Sequence, residues 1–344
     1  MKQILVALGI VVMFVGCGDG KKASEETNNA TASTVDSLAN TPQGEIDRLT
    51  RYIEANPSNW ALYKDRAVVY YDQGRVDWAI HDIREAIKMK DDDPELHYLR
   101  AYFALAEGDS TLARSEFQLA SQYGSANPDV YYQQGQMRFL RKEYDQAMES
   151  YLEAIRLDSL DPIYPFAIGF LEQEKGAIRS ALTRYNQALI LNPQHEKTLL
   201  QLHDLYVSEL NNPDKADEYN TTLLNAKPRH SLANYNKGSY YYRKAIPLKA
   251  KQLDAYQQAI NKAVEHYTLS ISYSDSFALP YVYRGMSYVE GERYDLAFED
   301  FKKAVEIDDS QYLAHFQLAG LYDFYKEEEK AVFHAQKAKA GGYE

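Results

Sequence analysis

The chain has 344 residues with 50 acidic against 38 basic side chains, a formal net charge of −12. Nucleic-acid binding needs concentrated Lys and Arg, so this balance argues against such a partner. A single cysteine, Cys17, excludes an intrachain disulfide and any multi-cysteine metal site.

The N-terminus has the layout of a secretory signal peptide. Lys2 gives a positive start, Ile4 to Val15 is an apolar run, and Gly16 stands before Cys17. The run is too short to span a bilayer, which takes about 20 residues. The sequence Phe14-Val15-Gly16-Cys17 resembles a bacterial lipoprotein signal. That resemblance implies a signal peptide over residues 1–16 and lipid attachment at Cys17. Gly18-Asp19-Gly20 does not match an inner-membrane retention signal with Asp directly after the cysteine. The expectation is therefore outer-membrane anchoring, with the periplasmic face favoured over the cell surface. Residues 17–43 are rich in Ser, Thr, Asn and Ala without apolar periodicity. Such a composition cannot offset its ordering entropy, so the segment is expected to be a tether with a reach of roughly 25–30 Å.

Helical periodicity is expected from Glu45. Leu49 and Ile53 precede Asn56-Pro57, and proline stops a helix because it has no amide hydrogen and restricts the residue before it. Residues 45–57 read as a half-repeat covering the open end of an array. From Trp60 onward one pattern recurs, with an alanine opening each second helix at Ala79, Ala113, Ala147, Ala181, Ala216, Ala263, Ala297 and Ala331. The steps between them are 34, 34, 34, 35, 47, 34 and 34 residues. A fixed period of this size predicts an all-α solenoid, because no single helix pair can bury its own apolar face. Eight repeats are expected over 60–340, within an array running from 44 to 340.

The residue types at fixed positions resemble the tetratricopeptide repeat family. That consensus is large at position 4, small at 8, aromatic at 11, Ala at 20, aromatic at 24, Ala at 27 and Pro at 32. The third repeat supplies Tyr131, Gly135, Ala147, Tyr151 and Ala154, and the seventh supplies Tyr281, Gly285, Tyr288, Ala297, Phe301 and Ala304. The resemblance covers roughly residues 45–340 and implies a right-handed superhelical solenoid of helix-turn-helix units. Pro165, Lys237 and Asn220 depart from the pattern at positions 4, 7 and 24 of the fourth, sixth and fifth repeats. The small residues at 8 and 20 are expected to let paired helices approach closely.

The sixth repeat is 13 residues too long, with a helix-compatible insertion near 245–258. Pro247 suits the first turn of a lengthened second helix. The insertion reads either as a longer hairpin or as a projecting docking element marked by Lys244, Lys249 and Lys251. At the other end the array stops at Gly341-Gly342 without an extra polar helix. Val332, Phe333 and Ala335 are expected to form an uncapped apolar face, suited to self-association as a homodimer or to partner docking.

No Gly-rich phosphate loop, GxSxG turn or HExxH zinc signature is present, and none of the eight histidines pairs with another at ligand spacing. No enzyme, cofactor or metal site is expected, and His203 and His315 are assigned to packing positions. In the family resembled, a concave groove is lined by first-helix positions 2, 5, 9 and 12. Transferred residue by residue, this implies a partner-binding groove of Lys64, Tyr71, Tyr98, Tyr102, Tyr132, Gln136, Phe139, Phe166, Phe170, Asp204, Tyr235, Tyr242 and Phe316. For any one of these rings the competing reading is packing between neighbouring repeats. The carboxylate-clamp pattern that holds chaperone tails is absent, since Lys64 is followed by Asp65 and Val68 where Asn is required.

The function expected is a non-enzymatic, lipid-anchored adaptor that recruits another envelope protein through an aromatic groove. Two alternatives stand beside it. One is a glycan- or cell-wall-binding lipoprotein, since tyrosine faces also stack on sugars. The other is a structural homo-oligomer built through the uncapped C-terminus.

Overall fold

The computed structural model describes residues 41–343. The expected signal peptide, Cys17 and most of the tether lie outside the described residues. The chain divides into two compact units between Gly108 and Asp109, at the turn inside the second repeat. All regular structure among the described residues is helical.

The first unit holds α1 (Pro42–Ala55), α2 (Trp60–Asp72), α3 (Val76–Met89) and α4 (Pro94–Ala106). Helix α1 starts at Pro42, earlier than Glu45 and inside the stretch assigned to the tether. Local chemistry accounts for this. The Thr41 hydroxyl accepts a hydrogen bond from the Gly44 amide at 3.1 Å, and Pro42 occupies a position whose missing N–H costs nothing. Asn59 and Asp93 cap α2 and α4 in the same way. Ile46 of α1 contributes to one core with Ala67, Tyr70, Ala79, Ile83 and Phe103.

The second unit runs through α5 (Ser110–Gln122), α6 (Pro128–Leu140), α7 (Tyr144–Leu157), α8 (Ile163–Glu174), α9 (Ile178–Leu191), α10 (Glu196–Ser208) and α11 (Pro213–Ala226). It continues with α12 (Ser231–Ala245), a 3-10 turn (Ile246–Leu248), α13 (Leu253–Tyr273), α14 (Ala278–Glu290), α15 (Tyr294–Ile307), α16 (Tyr312–Phe324) and α17 (Glu328–Ala340). Successive helices pack pairwise, each pair of a repeat meeting through its alanine. Ala147, Ala181, Ala263 and Ala297 have no exposed surface at all.

The small residue at position 8 proves to have a more specific cause than close helix approach. It makes room for the aromatic ring at position 24 of the same repeat. A Cβ built on Gly135 would lie 2.3 Å from the Tyr151 ring, and one on Gly238 2.7 Å from that of Tyr267. Both rings are fully buried. The turns between paired helices carry a different strain. Where Gly74 and Gly176 adopt positive φ at no cost, Lys142, Glu292 and Lys326 hold φ between 57° and 62° with a side chain attached. Each such residue sacrifices about 1 kcal/mol that glycine would not.

Lys237 belongs to a polar register rather than marking a packing fault. In the first unit the Arg66 guanidinium, at position 7, donates to both carboxylate oxygens of Asp82 at 2.6 and 2.9 Å and to the Thr50 hydroxyl at 2.9 Å. Arg284 repeats this in the second unit with Asp300, at 2.8 and 2.7 Å, and Thr268 at 3.1 Å. Lys237 donates to Asp217 and Thr221. In each case a cation at position 7 reaches a threonine on the preceding second helix, so the device ties one repeat to the one before it.

The insertion in the sixth repeat is a lengthened hairpin. Pro247 lies in the 3-10 turn between the helices, not in the first turn of α13. Its N–H-free ring suits that turn because a short 3-10 segment leaves its first amides unbonded in any case. The added turns are packed, with Ala245, Tyr256 and Ile260 forming a small core with Tyr242 and Leu248. The lysines expected to project are partly tied down. Lys244 pairs with Asp214 at 2.6 Å and Lys249 with Glu290 at 2.5 Å.

His315 is buried as a packing residue, but it has an unforeseen partner. Its Nδ1 lies 2.7 Å from Nδ1 of His334, so one of the two rings donates an N–H hydrogen bond to the bare nitrogen of the other. In the fifth repeat, His203 and Asn220 stand at positions 8 and 24 in place of a small residue and a ring. Asn220 is buried and its amide donates to the Ala233 carbonyl at 2.9 Å. Burial pushes the His203 imidazole down to about 4. An unfolded histidine titrates near 6.5, so the unfolded chain takes the proton first, and stability present above pH 6.5 is lost as pH falls towards 4. We expect this group to remove at most about 3 kcal/mol between pH 7.5 and 4. His203→Gln should flatten that part of a urea-midpoint-against-pH curve; an unaltered slope would refute the assignment.

Candidate functional site

First-helix positions 5, 9 and 12 hold rings and amides in both units, and the structure sorts them into clusters. In the first unit Tyr71 stacks on Phe103 at 4.5 Å between centroids and meets Tyr102 edge-on at 5.6 Å. Tyr98 lies 6.1 Å from Tyr102. All three tyrosines are half-buried. Lys64 is bound by Glu95 at 2.9 Å.

In the second unit Tyr132 packs against Tyr151 and Tyr164, and its hydroxyl accepts a hydrogen bond from the Gln136 amide at 2.9 Å. Burial pushes that hydroxyl up to about 12, so it stays protonated and keeps its own donor. Phe139 meets Phe170 at 5.5 Å, and Phe170 meets Phe166 at 6.4 Å. Phe166 is only 7% exposed, packed on Tyr185 and His195. It is a core residue and not a groove residue, because position 5 of α8 is covered by the start of the next repeat. Asp204 is exposed on α10. Tyr235 and Tyr242 are joined through Tyr283, which lies 5.8 and 6.4 Å from them.

Two contributors lie outside the expected set, one between the groove positions and one on them. Tyr283 sits at position 6, between the expected groove positions. Gln173, at position 12 of the fourth repeat, accepts hydrogen bonds through Oε1 from the Tyr185 hydroxyl at 2.8 Å and the Gln201 amide at 3.0 Å. Its own amide donates to Glu209 at 3.3 Å. A single glutamine thus crosses three helices, and only its amide chemistry, which both donates and accepts, could have signalled this.

Phe316 stands apart from these clusters. It is 40% exposed, and its ring lies 5.9 Å from Tyr343. The two rings border a mainly apolar open cleft of about 650 Å³ between the seventh and last repeats, with Tyr294, Gly320 and Ala335 in its wall. The outer side of α17 carries Val332 and Phe333, both more than half exposed. Among the described residues no group of His, Cys, Asp and Glu could hold a metal ion, and no helix is long and apolar enough to cross a membrane. The arrangement offers surfaces for contact and hydrogen bonding.

Comparison with known proteins agrees with the geometry. Tetratricopeptide repeat models match residues 46–94, 64–127, 98–162 and 281–311. Residues 46–162 and 281–311 thus match the tetratricopeptide repeat, and the helix pairs between them alternate in the same way, the sixth lengthened by 13 residues. A TPR repeat-containing protein of Methanocaldococcus jannaschii is 26% identical over 279 residues, which cover 78% of this chain and 47% of that protein. The photosystem I assembly protein Ycf3 of Rippkaea orientalis is 30% identical over 122 residues, 35% of this chain and 65% of Ycf3. The chain thus spans about half the length of its archaeal relative. Among solved structures, the human IFIT1 dimer with m7Gppp-AAAA superposes with a TM-score of 0.52 at 16% identity, over 89% of this chain and 74% of that one. This likeness concerns the fold alone.

Proposed function

We propose that this protein is a non-enzymatic adaptor of the bacterial envelope, held by a lipid on Cys17, which recruits another envelope protein through the first-helix face of its repeats. The carrying observation is the set of half-exposed rings and amides at positions 5, 9 and 12 within each unit, Tyr98 and Tyr102 in the first and Gln136 and Phe139 in the second. Rigid rings with polar tips bind protein segments at low entropic cost. The relatives named as repeat-containing or assembly proteins accord with such a role. The apolar run before Cys17 supports the lipid anchor, which places the binding face at a membrane.

The test is crosslinking in native cells with the full-length protein, followed by mass spectrometry. Replacing Tyr98, Tyr102 and Phe139 together by alanine should abolish recovery of the specific partner while the helical signal survives. Unchanged recovery would remove this face from the mechanism. A second reading, homodimerisation through the last repeat, is favoured by the exposure of Val332 and Phe333. Light scattering on the soluble array, with and without Phe333→Glu, decides it.

A further inference from the structure

The cleft between the seventh and last repeats has a cause in the repeat pattern itself. In the third, fourth, sixth and seventh repeats the space beside position 8 is filled by a ring at position 24: Tyr151, Tyr185, Tyr267 and Phe301. The last repeat carries Ala335 there, facing Ala319 at position 8, and both alanines line the cavity. Gly320 widens it further, since a Cβ on that residue would meet nothing within 4 Å. The space is an open cleft of about 650 Å³, large enough for an aromatic side chain, with Phe316 and Ala335 exposed at its rim.

The surroundings indicate what fits. Tyr343 is turned back by Gly342, at φ +85°, and its amide donates to the Ala338 carbonyl, which sets its ring beside that of Phe316 in one aromatic wall. Among the described residues the only charged side chain in the lining is Lys339. Among the described residues it forms no ion pair, whereas Lys337 on the same helix is bound by Asp309. An apolar space with the Lys339 ammonium at its edge is complementary to an apolar ring beside a carboxylate.

We infer that the last repeat is completed in trans: the cavity accepts an aromatic side chain of a partner segment, in place of the missing ring at position 24, with a neighbouring Asp or Glu of that segment on Lys339. This rests on the adaptor reading above and names the segment chemistry it selects. The occupant is a short amphipathic peptide segment, and a second copy of this chain or an acyl chain is an alternative that the test separates.

A library of displayed random twelve-residue peptides would be selected against the full chain and against Ala335→Tyr and Gly320→Phe. Both variants fill open space, and thermal melting confirms that they fold. Selection on the parent chain should enrich peptides carrying an aromatic residue within one helical turn of Asp or Glu. Their affinity should fall at least about tenfold on either filled variant and on Lys339→Glu, the loss expected when one anchoring contact is removed. Enriched peptides without that pairing, or indifferent to both filled variants, would overturn the inference while leaving the adaptor reading to another face. Failure to enrich any peptide would also overturn it. A change of oligomeric state on Ala335→Tyr, or displacement of the selected peptides by fatty acid alone, would assign the cavity to a second copy or to an acyl chain instead. The crosslinking experiment above tests the adaptor reading separately.

Discussion

Replacing Tyr267 by alanine is expected to destabilise the second unit by about 3–5 kcal/mol, the cost of deleting a large buried ring. Its side chain is fully buried, its hydroxyl donates to the Ser239 hydroxyl at 3.3 Å, and its ring lies 6.0 and 6.2 Å from Tyr235 and Tyr283. The neighbours cannot collapse into the gap, because the backbone opposite is Gly238 and has no side chain to offer. Denaturant unfolding followed by circular dichroism measures the loss. Combining Tyr267→Ala with Gly238→Leu should recover part of it, because the new side chain enters the vacated space. If the double variant is no more stable than the single one, the pairing of positions 8 and 24 is not what holds the crossing.

Asp300→Ala should cost about 3–5 kcal/mol as well, through a different mechanism: it leaves the buried Arg284 guanidinium without its counter-charge. Both partners are largely buried, with side chains 16% and 8% exposed, and the contact is bidentate. Exposed pairs such as Lys302 with Glu299 are worth well under about 1 kcal/mol, so Glu299→Ala serves as the reference. A double variant, Arg284→Met with Asp300→Leu, should regain most of the stability, since removing both charges removes the desolvation penalty. Equal losses from Asp300→Ala and Glu299→Ala would show that burial does not strengthen the pair.

These two cases also show what could be read from the sequence. The alanine spacing gave the repeat boundaries because position 20 tolerates little else at a helix crossing, and each of these alanines falls at its second helix. The polar register could not be read so directly. Arg66 and Asp82 are 16 positions apart, and only the pairing of two helices brings them together. Lys237 resembled a fault because a cation at a half-buried position is costly until its acceptors, Asp217 and Thr221, are known. The groove was legible as a set of positions but not as a surface. Position 5 is Lys64, Phe166 or Phe316 by turns, and whether it is salt-bridged, buried or exposed depends on the helix that follows. The cavity was hidden for a related reason. Ala335 reads as one more apolar residue, and its meaning lies in the ring that it lacks.

The lengthened hairpin of the sixth repeat carries a consequence for how such an array changes over time. Although the segment before Ala263 is longer, Tyr267 meets Gly238 just as Tyr151 meets Gly135 in a repeat of ordinary length. Length added at the hairpin tip is therefore invisible to the crossing, and through it to the next repeat. The tips are where such a chain can gain material without renegotiating its neighbours, while a single residue added between positions 8 and 24 on the crossing side would misplace a ring. Growth and packing are kept at opposite ends of the same two helices.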